Sequence, residues 1–255
     1  MKENIFPRFE PPVIEGLPER VIDQVIDFTR PAFGTSNWGT RASAQHKPYY
    51  FNLDQAWGSP DMKESGLFVD NLVQHIHKVI GDSAFSEMLG GQEPVLGYVY
   101  SVGGPTGIVQ LRSAVSQCLD LASVLIFPDK RLLRFRVICN GDNLNFPESV
   151  KWLVGRHVLL LTDATATGES LARAKGALRA FGASVLAAVA VYDREEGAAD
   201  SLKRVDIALY PVYGADEFIK RRKHVTEDQD LVGKIRECTG KERVGDFSAV
   251  VANAS

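Results

Sequence analysis

A carboxylate stands where an apolar run ends and a small, hydroxylated loop begins: His157-Val-Leu-Leu-Leu-Thr-Asp-Ala-Thr-Ala-Thr-Gly-Glu-Ser170. Val158 to Leu161 have the unbroken hydrophobicity of a strand buried on both faces, which places Asp163 at the strand's carboxyl end. Thr165, Ala166, Thr167, Gly168, Glu169 and Ser170 lead into a helix with apolar positions at Leu171, Ala174, Leu178 and Phe181. Such a helix start suits an anion: its free backbone N–H groups point outward, the dipole is favourable, and Thr167 and Ser170 add hydroxyl donors. A carboxylate just upstream suits a ligand that also carries sugar hydroxyls or a bound Mg²⁺. The same residues equally fit an ordinary strand–turn–helix with a capping Thr or Ser and a solvated Asp. The Gly-Lys-Ser/Thr of a P-loop and the G-x-G-x-x-G of a dinucleotide site are both absent.

The flanking sequence supplies the elements that must hold this segment. Strand signals at 94–101, 124–127, 132–138, 157–162, 184–192 and 207–213 are separated by helix patterns at 108–122 and 168–181, with a polar loop at 140–154. Upstream, helical spacing is visible at 18–29 and 64–80, and a short strand at 49–52; a charged helical tail follows at 215–237. Strands alternating with helices predict an α/β fold with a doubly wound, mostly parallel sheet, in which ligands bind beyond the carboxyl ends of the strands. The loops at 102–107 and 163–170 are then expected side by side. The expected organisation is an arm, helix and hood over 1–60, an α/β core over 61–240 and a tail over 241–255.

Composition narrows the class. Hydrophobic residues make up 45% of 255, enough for a sizeable core, and the net charge of −3 argues against a general nucleic-acid binder. Cys118, Cys139 and Cys238 are scattered and odd in number. They form neither a disulfide framework nor a C-x-x-C pair and are expected as small core residues in a reducing, cytoplasmic setting. No apolar stretch reaches the length of a membrane span, and the first residues do not read as a signal peptide. His75 and His77 fall on nearly opposite faces of the 64–80 helix, which argues against a metal pair.

LLLTDATATGES resembles the diphosphate-sugar binding motif of type I phosphoribosyltransferases: an apolar strand, two acidic residues, two variable residues, then a Thr/Gly/Ser phosphate loop. Four further pieces are similar to the orotate phosphoribosyltransferase branch and occur in that branch's order. Lys47-Pro48-Tyr49-Tyr50-Phe51-Asn52 matches its paired aromatics, Ser101-Val-Gly-Gly-Pro-Thr-Gly-Ile108 its pyrophosphate loop, and Ala190-Val-Tyr-Asp-Arg-Glu-Glu-Gly197 its D-R-x-E strand end; Tyr210-Pro-Val-Tyr213 fits its last strand. The resemblance implies a soluble enzyme of nucleotide metabolism that binds 5-phosphoribosyl diphosphate or a ribonucleotide and pairs as a homodimer. It places Asp163 on the ribose hydroxyls or their Mg²⁺, with Thr162 beside it. Thr165, Ala166, Thr167, Gly168, Glu169 and Ser170 would wrap the 5-phosphate, and Gly103, Gly104, Pro105, Thr106 and Gly107 would hold the pyrophosphate. Arg194 would meet a pyrimidine-like base beside Tyr50 and Phe51, and Lys151 would be the catalytic cation of the 140–154 loop.

The sequence departs from that pattern in four places, one of them Ala166, where other branches use Asp or Thr. Thr162 stands where the motif has its first acid, Pro105-Thr106 replaces the pyrophosphate-loop lysine, and the 140–154 loop carries only Lys151. Two readings follow: transfer of phosphoribose to an acceptor such as orotate, or a catalytically reduced homologue that binds the sugar or a nucleotide as regulator, effector or complex subunit.

Overall fold

The computed structural model describes residues 62–99, 107–128, 133–139, 142–143 and 151–215. The aromatic pair at 50–51, the loop at 100–106, the tail beyond 215 and the flanking segments 1–60 and 241–255 lie outside them.

A seven-stranded sheet forms the middle layer, in the order β4-β3-β2-β1-β5-β6-β7. Its strands are β1 (Val95–Val99), β2 (Ser123–Pro128), β3 (Leu133–Cys139), β4 (Asp142–Asn143), β5 (His157–Thr165), β6 (Ser184–Asp193) and β7 (Ala208–Gly214). β2, β1, β5, β6 and β7 run parallel, whereas β3 and β4 are added antiparallel. Only residues 129–132 separate β2 from β3, too few for the crossover that a parallel pair requires. β7, at the other end of the sheet, carries Pro211 opposite Ala190.

Alternation along the strands feeds two cores. Leu159 and Leu161 of β5 and Val189 and Val191 of β6 face helices α1 (Met62–Gly81), α2 (Ser83–Leu89) and α3 (Gly107–Leu119). Val158 and Leu160 face the opposite layer, built by α4 (Glu169–Ala180) and α5 (Ala198–Lys203). α4 contributes Leu171, Ala174 and Leu178, at the spacing of one helical face. Burying a leucine of this kind is worth about 2 kcal/mol, so β5 anchors both layers.

Cys118 is exposed, contrary to the core position expected for it. α3 buries the row Leu111, Val115 and Leu119, four residues apart, and Cys118 falls outside that row. His75 and His77 part as the helix period requires: the first is buried, the second exposed. No described helix is long and apolar enough to cross a membrane.

Candidate active site

β1 and β5 are parallel neighbours, with Tyr98 opposite Leu161, so the chain leaves both carboxyl ends side by side. β5 runs three residues further than its apolar run indicates, because Ala164 and Thr165 still pair with Tyr192 and Asp193 of β6. Asp163 is half-buried there, and its Oδ1 accepts the Ala164 N–H at 2.7 Å and the Thr162 hydroxyl at 3.3 Å. Thr162 itself is buried. The carboxylate is therefore held by its own turn.

Thr165 is buried, Ala166 and Thr167 are half-buried, and Ser170 is exposed. The cap of α4 is Gly168, in the left-handed region at φ 78, and no side chain closes the helix start. This differs from a capping Thr or Ser, and it leaves the first-turn N–H groups directed into the loop. Glu169 pairs with Arg173 one turn on, which offsets a carboxylate that would otherwise repel an anion at this end. An ideal Cβ on Gly168 would lie 2.7 Å from Leu202 Cγ of α5. Glycine is thus needed for close approach to α5, not only for access to a ligand. Gly168→Ala is expected to lower stability by about 2 kcal/mol through left-handed backbone strain and overpacking. Thermal melting checks this, and an unchanged midpoint would contradict the assigned packing.

The turn after β6 forms the next wall. Arg194 N–H donates to Thr165 O at 2.9 Å, tying this turn to the start of the loop. The Arg194 guanidinium is buried and ion-paired with the buried Glu196 carboxylate at 2.5 Å. Glu195 N–H donates to Asp193 Oδ1 at 2.9 Å. Burial pushes the Asp193 carboxyl up to about 6, with the charges of Glu195 and Glu196 adding to the rise and that hydrogen bond opposing it.

The structure thus brings Thr162, Asp163, the 165–170 loop and Arg194 together at one end of the sheet. Gly107 starts α3, while Gly103, Gly104, Pro105, Thr106, Tyr50 and Phe51 lie outside the described residues. Lys151 is not brought to Asp163 within the chain. It is exposed among the helical residues 151–153 before β5, whereas Asp163 lies at the far end of that strand, roughly 20 Å along at 3.3 Å per residue. Asp193 and Glu196 had no role assigned from sequence; the signal was present in Asp-Arg-Glu-Glu closing an apolar strand.

No family model matches the chain. Orotate phosphoribosyltransferase of Methanothermobacter thermautotrophicus is 32% identical over 178 residues, 69% of this chain and 82% of that protein. The chain belongs to the orotate phosphoribosyltransferase family. A second relative, the orotate phosphoribosyltransferase of Thermococcus gammatolerans, is 30% identical over 64% of this chain and 82% of its own length. The crystal structure of orotate phosphoribosyltransferase from Aeropyrum pernix shares the fold, with a TM-score of 0.55 at 18% identity, covering 82% of this chain and 99% of that one.

Proposed function

We propose that this chain binds 5-phosphoribosyl diphosphate at the carboxyl end of β5 and transfers its phosphoribosyl group to a pyrimidine-like acceptor such as orotate. The observation that carries this reading is the meeting of Asp163 with the uncapped start of α4, across the turn from Arg194. Family membership supports it independently.

The N–H groups at the start of α4 and the Thr167 hydroxyl bind the 5-phosphate, and Asp163 orients the ribose through its hydroxyls. The bond from the anomeric carbon to the diphosphate breaks, an acceptor nitrogen bonds that carbon, and pyrophosphate leaves. Little covalent chemistry is asked of the protein, so positioning and preset electrostatics supply the rate. Mg²⁺ fits the donor set. Asp163 is the carboxylate that would hold the ion, together with oxygens of the substrate. When bound, it neutralises charge on the diphosphate. A homodimer and a cytoplasmic setting belong to the same proposal and rest on the family resemblance.

One observation favours the second reading, binding with reduced turnover. Thr162 shares its one hydroxyl proton between Asp163 Oδ1 and Ala164 O instead of presenting a second negative charge, so one ribose or metal contact is lost. Calorimetric titration with 5-phosphoribosyl diphosphate and Mg²⁺, followed by assay of pyrophosphate release with orotate, separates the two. Heat of binding with release supports transfer, heat without release supports the binder, and no heat rejects both.

A further inference from the structure

We infer that Glu196 is a positioning residue, whose buried carboxylate holds the Arg194 guanidinium in place at the carboxyl end of β6 and so governs acceptor selection. This rests on the proposed function, which assigns Arg194 to the acceptor.

The backbone of the turn is shaped to make this pair. Glu195 is left-handed at φ 54, an unusual conformation for a residue with a side chain, and Gly197 follows at φ 95. These two left-handed residues flank Glu196 and turn its carboxylate back onto the residue two positions earlier. The Glu195 side chain leaves in another direction, towards β7, where it lies against Gly214: a Cβ there would collide with Glu195 Oε1. Two adjacent glutamates are thereby sorted, one half-buried over β7 and one 1% exposed against an arginine that is itself 6% exposed.

Burial gives the pair its directing force. A guanidinium removed from water must keep its partner, and at low effective dielectric the carboxylate confines it to one orientation far more strongly than a surface ion pair would. The orientation is referenced to the phosphate-binding side of the site by the Arg194 N–H bond to Thr165 O, and by Leu202, six residues after Glu196, against Gly168. Arg194 is thus fixed relative to the loop that would hold the sugar, which is the relation an acceptor must satisfy to reach the anomeric carbon.

The test is steady-state kinetics of the full chain and its Glu196→Gln variant, varying orotate and 5-phosphoribosyl diphosphate separately. The expected result is a rise of about tenfold or more in the orotate KM, with the KM for the diphosphate sugar unchanged within about twofold. Glu196→Asp should recover part of the loss. A purely structural role would move both KM values and kcat together, and that outcome, or an unchanged orotate KM, overturns the inference. If Glu196→Gln does not fold, Glu196→Asp, which keeps the charge and shortens its reach, takes its place: a rise confined to the orotate KM supports the inference, and an unchanged orotate KM overturns it. If the unmodified chain releases no pyrophosphate, the proposed transfer fails on its own, and calorimetry with orotidine 5′-monophosphate decides. About tenfold weaker binding to the variant than to the unmodified chain supports positioning, equal affinity overturns it, and no binding to either overturns both readings.

Discussion

Asp163→Asn is expected to lower pyrophosphate release from 5-phosphoribosyl diphosphate and orotate by about 100-fold or more while leaving the fold intact. Thr162 is neutral, so no neighbouring acid of the motif stands ready to replace the lost charge. Removal of one preset electrostatic contact of this kind costs roughly 10²–10³ in rate. Asparagine keeps an Oδ1 that can accept the Ala164 N–H and the Thr162 hydroxyl, so the turn retains its hydrogen bonds and the melting midpoint should scarcely move. Asp163→Ala loses those bonds as well, and its additional destabilisation measures the structural share. Turnover of the asparagine variant within a few-fold of the unmodified chain would remove Asp163 from the mechanism.

The pH dependence of stability should reveal two buried groups that conceal each other. Desolvation lowers the His75 imidazole from 6.5 to about 4, and raises the Asp193 carboxyl from 3.8 to about 6. For His75 the unfolded chain takes up a proton below pH 6.5 and the folded one does not until about 4, so stability is lost as pH falls through that window. For Asp193 the unfolded chain releases its proton first, so stability is lost as pH rises from about 4 to 6. The slopes oppose each other, and each window is worth on the order of 3 kcal/mol at 1.36 kcal/mol per pH unit. Asp193→Asn should therefore make stability climb between pH 4 and 6 more steeply than in the unmodified chain. His75→Leu should tilt it the other way. Urea unfolding at several pH values reads these slopes without interference from any constant packing cost; parallel profiles in all three proteins would refute both assignments.

The fold was legible where residue type and spacing coincide with burial. The four apolar residues of β5 announced a central strand, and Leu171, Ala174 and Leu178 announced the helix after it. β5 ends three residues beyond the expected 157–162 because Asp163 and Thr165 interrupt the apolar signal, though Ala164 and Thr165 still pair with β6. α2 and α5 went unread, since seven and six residues are too few to display a helical period. At the site, Asp163 and the 165–170 loop were visible as chemistry at the end of a strand. The Arg194–Glu196 pair was not, because charged residues in a row read as surface until a turn folds them inward. Lys151 is implied by the family resemblance alone, and distance along the chain does not disclose which end of a strand a residue occupies.

Pro211 has a bearing on how copies of this protein meet. Among the described residues β7 borders the sheet on one side and the two-residue β4 on the other. A proline in the bordering strand withdraws one amide from the row that an incoming strand would need, and a two-residue strand offers almost no template. Among the described residues neither border invites a foreign β-segment, so the mixed sheet, with its slow-forming parallel pairs rich in valine and leucine, is guarded there against edge-to-edge aggregation. Self-association through these elements would have to use helical surfaces and not a sheet shared between molecules.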